Sequence, residues 1–481
     1  MKTAKSVSSF AAVAAVSCSL AVNAAAPGRH LSGDYLMSVD GKPVDVVRAP
    51  LPEAGSGCIR NRLEWQPYSY SVFEASNEVE VVVQSGFLDL SKTEILPRSK
   101  GVAAVSQSVD TVVFKMTPPM TLVLEPKGRH RALVLSANLP TTARAGERTA
   151  SVQQQEGTAC EQRMVRRFEA GFHDAGLITL GDDETLYLAP GAWVEGCLKA
   201  EGRNIRVCGC GVLSGAKYEW LNGNNDCNMA GGIQTFAVLT GENIEVKDVT
   251  FFSSYAWTLV FNNATNVVVD NIKVIGGRVI NDDGIDICRT KDIVIRNSFI
   301  RTQDDCITPK FWCENLVCTN MTLWTESANA FRTGYECAPR ESGLVYRNLL
   351  FKDIDVLHLS LNKNTPDKYW ANCAIYIQPA HGQTMYNTVY EDLRFHEVGP
   401  GNIFLNVKTM PITTGSADVK TDEPGYIQGL TLRNIHLPDA HGGMCVNFSA
   451  HDDAHPIEGV RFENVTGYGP FTKSGKVEFV E

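Results

Sequence analysis

Four aspartates within the stretch Asn281–Lys310 have the types and the spacing that acid–base chemistry needs. Asp282 and Asp283 form one acidic pair and Asp304 and Asp305 a second, 22 residues further on. If the chain returns to the same face with that period, Asp283 stacks on Asp305, and the side chain of Asp304 points in a different direction along the same strand. The pattern therefore predicts three carboxylates close together on one face of the protein.

Carboxylates that close cannot all ionise freely, so at least one pKa should rise. In glycoside hydrolysis, a neutral carboxyl group can then serve as the acid and a neighbouring ionised one as the base. We expect Asp304 to be the acid, and Asp283 and Asp305 to share the attacking water. In an enzyme that inverts the anomeric configuration, the acid and base carboxyl groups lie roughly 6.5–9.5 Å apart. A calcium site and a solvated acidic ridge are the alternatives, but we predict neither a metal nor a cofactor.

The elements that must position these residues form a repeat. Each unit starts with Asn, Asp or Gly followed by alternating apolar residues, and the central copies are 23, 26 and 23 residues apart. That period is too short for two-helix repeats or propeller blades. It fits three short strands and three turns per coil of a parallel β-solenoid, with Asn ladders at the turns. The clear copies begin at Asn204, Asn243, Asn266, Asp292 and Asn315.

Composition divides the chain into four segments. Residues 1–24 have the charged start, apolar run and small-residue cleavage site of a signal peptide, so we expect a secreted or periplasmic protein without a membrane span. Residues 27–145 hold short β-branched runs between Gly and Pro turns, which predicts a small β-sandwich. Residues 146–171 are polar and are predicted to form a linker. Residues 172–481 are predicted to form the solenoid.

The overall charge and the cysteines exclude some classes of partner. A net charge of −10 leaves no basic footprint for nucleic acid. The aspartate cluster instead makes a polysaccharide or oligosaccharide the expected partner, and we expect the protein to be a monomer. The 14 cysteines do not have the spacing of a zinc site. We interpret those of the central repeat as small buried residues rather than as disulfides.

The acidic motifs resemble those of a known family. N-x-D from Asn281, D-D from Asp304 and C-I-x-x-K ending at Lys310 are similar to glycoside hydrolase family 28, the polygalacturonase and rhamnogalacturonase group of pectinase-like β-helices. The resemblance covers about residues 180–470 and implies an all-β fold, a right-handed parallel β-helix behind the β-sandwich. It also implies that the first Asp of the second pair is the general acid and that the other two position water.

Three features depart from that family's pattern. Asp282 stands where the family has Thr, no His of a Gly-His-Gly motif lies near Asn329, and the Arg-Ile-Lys motif has no clear match. These differences weaken galacturonan as the substrate and leave the three-Asp mechanism intact. A β-sandwich before a β-helix with three catalytic aspartates also resembles the dextranase group, family 49, whose substrates are neutral α-glucans.

Several residues near the aspartates are candidates for substrate binding, because aromatic rings stack on sugar faces and polar groups bind hydroxyl or carboxylate groups. Their structural alternatives are core packing and ion pairing. The expected binding residues are Trp257, Asn281, Asp286, Lys310 and Arg332, and further stacking candidates are Trp312, Trp324 and Tyr335.

The favoured function is an exported, inverting glycoside hydrolase of a polysaccharide, either pectic galacturonan or a related glycan. A hydrolase of neutral α-glucans is one alternative. A polysaccharide lyase with Arg289, Arg301 or Lys310 as its base is a second, and a non-catalytic glycan-binding solenoid is a third.

Overall fold

A computed structural model describes ten segments of the chain, and strands are its main elements. A 3-10 turn occurs at Arg98–Lys100, and the described residues contain no α-helix. Nor do they hold a helix with the length and hydropathy to cross a membrane. The all-β prediction is confirmed, whereas the predicted signal peptide lies outside the described residues. These are 29–49, 67–140, 164–220, 227–229, 233–337, 343–359, 373–397, 402–413, 420–438 and 443–481.

The N-terminal strands form two five-stranded sheets, ordered β2-β1-β5-β8-β7 and β3-β4-β10-β9-β6. Their facing apolar side chains, among them Val81, Phe114 and Leu135, fill the space between the sheets as the alternating pattern predicts. This is the expected sandwich. Its strands are β1 (Leu36–Val39), β2 (Lys42–Val44), β3 (Val47–Arg48), β4 (Ser69–Glu74), β5 (Val79–Gln84), β6 (Glu94–Leu96), β7 (Ala104–Gln107), β8 (Thr111–Met116), β9 (Met120–Arg129) and β10 (Leu133–Asn138).

The other strands form one sheet of 23 strands that winds as a parallel β-helix. Its first described strand begins at Met164, inside the segment that the sequence assigns to a linker. Its first half comprises β11 (Met164–Phe168), β12 (Gly171–Leu180), β13 (Glu184–Leu188), β14 (Ala192–Arg203), β15 (Arg206–Cys208), β16 (Val212–Ser214), β17 (Thr235–Lys247), β18 (Thr250–Phe252), β19 (Trp257–Asp270), β20 (Lys273–Ile275), β21 (Ile285–Arg296) and β22 (Phe299–Thr302).

The second half continues with the same parallel pairing between coils. Inward side chains of successive coils stack on one another and form one continuous core along the solenoid. Its strands are β23 (Ile307–Thr325), β24 (Phe331–Gly334), β25 (Tyr346–His358), β26 (Cys373–Gln378), β27 (Thr384–Glu397), β28 (Ile403–Lys408), β29 (Tyr426–His436), β30 (Met444–Ser449), β31 (Ile457–Thr466), β32 (Tyr468–Ser474) and β33 (Val477–Phe479).

Asparagine ladders run along the turns that open each repeat. Nδ2 of Asn266 donates to Oδ1 of Asn243 at 2.7 Å, and Nδ2 of Asn243 donates to Oδ1 of Asn204 at 3.0 Å. The ladder resumes where Asn315 donates to Asp292 at 2.8 Å. All five residues have φ values of 56–58°, a left-handed conformation that Asn and Asp tolerate better than most residues. The repeat signature therefore reflects both the backbone conformation and the side-chain hydrogen bonds.

The sheet β3-β4-β10-β9-β6 packs its second face against one face of the solenoid. Tyr68 donates its hydroxyl to the carbonyl of Gly276 at 2.7 Å, and its ring lies 3.7 Å from the guanidinium carbon of Arg301. Trp324 lies in the same apolar layer, 6.0 Å from the Tyr68 ring and 1% exposed. The prediction that Trp324 stacks on sugar is therefore wrong, because the N-terminal sheet covers its face.

Buried ion pairs cross the same interface. Arg129 lies 3.2 Å from Glu326, and the His358 imidazole lies between two carboxylates. Its Nε2 is 2.5 Å from Oε1 of Glu125, and its Nδ1 is 3.3 Å from Oε2 of Glu397. Because Glu125 belongs to the sandwich and His358 and Glu397 to the solenoid, this group links the two parts of the chain.

Candidate active site

Adjacent coils bring the predicted aspartates to one face of the solenoid. Strand β21 pairs with β23 in a register that places Ile285 opposite Ile307. Just before this pair, the amide of Gly284 donates to the carbonyl of Asp305 at 2.8 Å. Asp283 therefore lies one coil away from Asp305, and the 22-residue offset is the length of that coil.

The carboxylates of Asp283, Asp304 and Asp305 meet at this place. Each offers an oxygen, and the three oxygens lie within 4.8 Å of one another. The separation of roughly 6.5–9.5 Å that we expected for an inverting pair is therefore not found between these oxygens, and the distance gives no support of its own for inversion. The oxygens are also close enough to ligate one hard cation, but Lys310 already supplies a countercharge to Asp283 at 2.9 Å.

Asp304 is the least stabilised anion of the three. Within the described residues its carboxylate is bound by the amide of Asp305, at 3.0 Å, and it has no cationic side chain within ion-pair distance. Burial raises the pKa of Asp304 well above its usual range, and the charges of Asp283 and Asp305 raise it further. A carboxyl group in this environment favours its protonated form, which is the form that a general acid requires.

Asp305 has donors that hold its carboxylate in place. Oδ1 accepts two hydrogen bonds from Asn329, one from the backbone amide at 2.8 Å and one from Nδ2 at 2.7 Å. Oδ2 lies 3.8 Å from Nε of Arg332. Burial raises the pKa of Asp305, while Arg332 opposes that shift. In the sequence Asn329 marks only the place of an absent histidine, and its hydrogen bonds to Asp305 were not predicted.

Asp283 is held by a buried lysine that it shares with two other carboxylates. Nζ of Lys310 lies 2.9 Å from Oδ2 of Asp283, 2.9 Å from Oδ1 of Asp286 and 3.7 Å from Oε2 of Glu336. Burial raises the pKa values of Asp283 and Asp286, and Lys310 opposes both shifts. Burial alone lowers the pKa of Lys310, but the carboxylates outweigh it and raise that pKa well above its usual range. Lys310 is therefore ammonium.

The remaining predicted binding residues lie around this cluster. Lys310 lies 3.4 Å from the ring centroid of Trp257, which is 8% exposed, so the cation covers a face that the sequence assigned to sugar stacking. Arg332 contacts the rings of Tyr335 and Tyr376 at 4.4 and 4.6 Å. Oδ1 of Asn281 accepts a hydrogen bond from Nε1 of Trp220 at 3.2 Å.

Asp282 acts on the backbone rather than in the carboxylate cluster. It is fully buried, and its Oδ1 accepts the amides of Gln303 at 2.6 Å and Asp304 at 3.1 Å, while Oδ2 accepts the amide of Gly277. Burial raises its pKa to about 7, although these amides oppose the shift. A Cβ on Gly276 would lie 2.7 Å from Oδ2, which explains glycine there. Asp282 thus fixes the backbone that carries Asp304.

Two of the bases considered for a lyase lie away from the aspartates. Arg301 donates to Glu326 at 2.8 Å and to the carbonyl of Gly276, beneath the N-terminal sheet. Arg289 stacks on Phe311 at 3.6 Å and donates to Asn262 at 3.1 Å. Lys310 is within the cluster but is enclosed by carboxylates, so no neutral amine is available from it.

Comparison with known proteins agrees with the motifs. The sequence model of Glycosyl hydrolases family 28 matches residues 190–325, which include the three clustered aspartates. A polygalacturonase of Chamaecyparis obtusa is 24% identical over 282 residues, 56% of this chain and 50% of that protein. An exopolygalacturonase of Cochliobolus carbonum is 31% identical over 128 residues, 24% of this chain and 28% of that protein. The chain thus spans half or less of these curated relatives.

A solved structure shares the overall fold. Dex49A from Penicillium minioluteum superposes with a TM-score of 0.62 at 13% sequence identity, covering 93% of this chain and 94% of that one. The superposition therefore includes the N-terminal sandwich as well as the solenoid. Both resemblances that the motifs and domain order indicate, to family 28 and to the family 49 architecture, are confirmed, the second at the level of the fold.

Proposed function

We propose that this chain is a glycoside hydrolase that cleaves a polysaccharide, with Asp304 as the general acid and with Asp283 and Asp305 positioning the attacking water. The proposal rests on one observation: three carboxylates lie close together, and the protein gives them different numbers of hydrogen-bond donors and cations. Asp283 has Lys310 at 2.9 Å and Asp305 has Asn329 and Arg332, whereas Asp304 has no side-chain donor among the described residues. The match to the family 28 model supports the same reaction class.

The proposed reaction moves two protons. The carboxyl group of Asp304 gives its proton to the glycosidic oxygen while the bond from that oxygen to the anomeric carbon breaks. A water molecule between Asp283 and Asp305 attacks the anomeric carbon and gives a proton to one of these carboxylates. Solvent then returns a proton to Asp304 and removes one from the base.

We propose that the anomeric configuration inverts, because two anchored carboxylates flank the position assigned to a single water. A retaining reaction would require one of them to attack the sugar as a nucleophile, and its typical carboxyl separation is about 5–5.5 Å. NMR of the first-formed product anomer decides between the two. A product with the starting configuration would contradict the proposed use of Asp283 and Asp305.

Export and a monomeric state are further parts of the proposal. The sequence of residues 1–24 supports cleavage of a signal peptide. Mass spectrometry of the protein recovered from periplasm or medium should then show a chain that starts after Ala24. Light scattering should give the mass of one chain. We also propose the boundaries 27–145 for the sandwich, and we move the proposed start of the solenoid from residue 172 to Met164, where its first described strand begins; limited proteolysis tests both.

The experiment that tests the function is a screen of the whole chain against pectic, α-glucan and galactoside polymers. Saturated reducing ends support hydrolysis, whereas products with ultraviolet absorption would indicate a lyase. Asp304→Asn should strongly lower the rate of product formation while binding persists. A variant with undiminished hydrolysis would overturn the assignment of the acid.

A further inference from the structure

The N-terminal sandwich reaches the backbone beside the aspartates through one side chain. Tyr68, immediately before β4, is 1% exposed and donates its hydroxyl to the carbonyl oxygen of Gly276 at 2.7 Å. Arg301 donates to the same oxygen at 2.8 Å, and its guanidinium carbon lies 3.7 Å from the centroid of the Tyr68 ring. The sandwich therefore helps to fix the position of one carbonyl group of the solenoid.

The Gly276 carbonyl belongs to the same peptide unit as the N–H of Gly277. That N–H donates to Oδ2 of Asp282, which is fully buried. Oδ1 of Asp282 accepts the amides of Gln303 at 2.6 Å and Asp304 at 3.1 Å. Because the carbonyl and the N–H of a peptide unit lie in one rigid plane, the donors on its oxygen also orient its N–H. An unbroken series of hydrogen bonds thus runs from the sandwich to the backbone of Asp304.

The groups in this series have little room to shift. A Cβ on Gly276 would lie 2.7 Å from Oδ2 of Asp282, so the peptide unit and the carboxylate are in close contact. The carbonyl of Asp304 accepts the hydroxyls of Thr302 at 2.6 Å and Thr325 at 2.8 Å. The backbone of Asp304 is therefore held at its amide by Asp282 and at its carbonyl by two threonines. The hydrogen bond at the amide is the one that the sandwich reaches.

We infer that Tyr68 is a positioning residue for Asp304. Its hydroxyl fixes the peptide unit that holds Asp282, and Asp282 in turn holds the backbone from which the Asp304 carboxyl group projects. That this carboxyl group is the general acid rests on the proposed function. A proton donor must keep its distance and angle to the glycosidic oxygen, so the inference gives the sandwich a part in the reaction. Hydrogen bonds in such a series also polarise one another, which makes each depend on the next.

Amide hydrogen exchange tests the inference without requiring hydrolysis. Tyr68→Phe removes the hydroxyl and keeps the ring, and Arg301 still donates to the Gly276 carbonyl, so the variant should fold. The amides of Gln303 and Asp304 should exchange about fivefold faster in this variant, the effect expected when one hydrogen bond is lost. Mass spectrometry of a peptide that spans both residues measures the exchange in the full chain.

Tyr70→Phe is the matched control. Tyr70 lies on β4, is also 1% exposed and packs in the same interface. Its hydroxyl is paired with Oγ1 of Thr250 at 2.8 Å, a side chain outside the series that leads to Asp282. This control should leave the exchange of the two amides unchanged. Unaltered exchange in Tyr68→Phe, or equal acceleration in Tyr70→Phe, would overturn the inference.

Kinetics on a polymer that the substrate screen identifies measure the effect on the reaction. Tyr68→Phe should lower kcat about fivefold and leave KM unchanged, because it disturbs the acid rather than the binding of the substrate. A dinitrophenyl glycoside of the same sugar should be hydrolysed at an unchanged rate, since its leaving group departs without a proton. Equal losses on the polymer and on the glycoside would indicate a purely structural role and overturn the inference.

A double variant tests the route through Asp282. If Tyr68 acts on Asp304 by way of Asp282, Tyr68→Phe should slow the reaction no further once Asp282→Asn is present. Additive losses of rate would overturn this route. Faster amide exchange in Tyr68→Phe together with inactivity of the unaltered chain on all polymers would contradict the proposed function and leave the positioning of the Asp304 backbone standing.

Discussion

The ammonium group of Lys310 lies 2.9 Å from a carboxylate oxygen of Asp283, in a place where the two side chains are 3% and 4% exposed. Two groups so deeply buried depend on each other, because either charge alone would lack compensation. The same lysine bridges to Asp286 on the strand that follows Asp283. The pair therefore links the stability of these coils to the ionisation of a carboxylate with a proposed role in the reaction.

Lys310→Gln should destabilise the fold by about 3–5 kcal/mol, because it leaves buried carboxylates without a cation. It should also raise the pKa of Asp283 further, since the lysine opposes the effect of burial. The acidic limb of the rate profile should then move to higher pH, because the proposed role needs ionised Asp283. Denaturant unfolding and a pH–rate profile measure the two effects. Lys310→Arg, which keeps the charge, should move the acidic limb of the profile less. An acidic limb that does not move in Lys310→Gln would contradict the dependence of Asp283 ionisation on Lys310.

Asp304→Asn should lower the rate of hydrolysis by at least about 10²–10⁴-fold, the range attributed to general acid catalysis. Its stability should not fall, because asparagine is uncharged, like the protonated carboxyl group that burial and the charges of Asp283 and Asp305 favour at this position. Initial rates and thermal unfolding measure these outcomes. Asp292→Asn is the matched control: Asp292 belongs to an exposed ladder of Asn residues, and its replacement should change neither quantity.

The stability of the chain should fall as pH rises through the folded-state pKa of His358. Burial lowers this pKa, but Glu125 and Glu397 outweigh burial and Arg129, and they raise it above its usual value. The contribution of His358 is therefore fully present below the unfolded pKa of about 6.5 and is lost above the raised folded value. Thermal unfolding between about pH 6 and pH 9 measures it. His358→Gln should weaken the dependence of stability on pH. An unchanged dependence in this variant would show that other titrating groups cause it.

Asn315→Ala should cost about 3–4 kcal/mol in the free energy of unfolding. Asn315 has a φ of 58°, which is unfavourable for alanine by about 1–2 kcal/mol. The variant also removes hydrogen bonds with Asp292 at 2.8 Å and Asn348 at 2.9 Å, each worth about 1 kcal/mol. Asn315→Gly keeps the backbone conformation and isolates the second contribution. Equal losses of unfolding free energy in Asn315→Ala and Asn315→Gly would contradict a contribution from the left-handed backbone conformation.

The sequence was sufficient to predict the parallel solenoid and the approach of Asp283 to Asp305, because both follow from the length of the repeat. It could not predict the partners Asn329 and Glu336. Glu336 follows Tyr335, whose φ of 75° interrupts strand alternation and redirects the next side chain. The error at Trp324 has another cause: alternation predicts an outward side chain but not which outward face a separate sheet will cover.

The coil length that joins Asp283 to Asp305 also limits how this cleft can change during evolution or engineering. A residue inserted within a paired strand would shift the pairing there unless a bulge absorbs it, as one does between Cys288 and Thr290, whereas the addition of a complete coil elsewhere preserves every existing pair. New binding positions can therefore be gained in whole repeats without rebuilding the reactive centre.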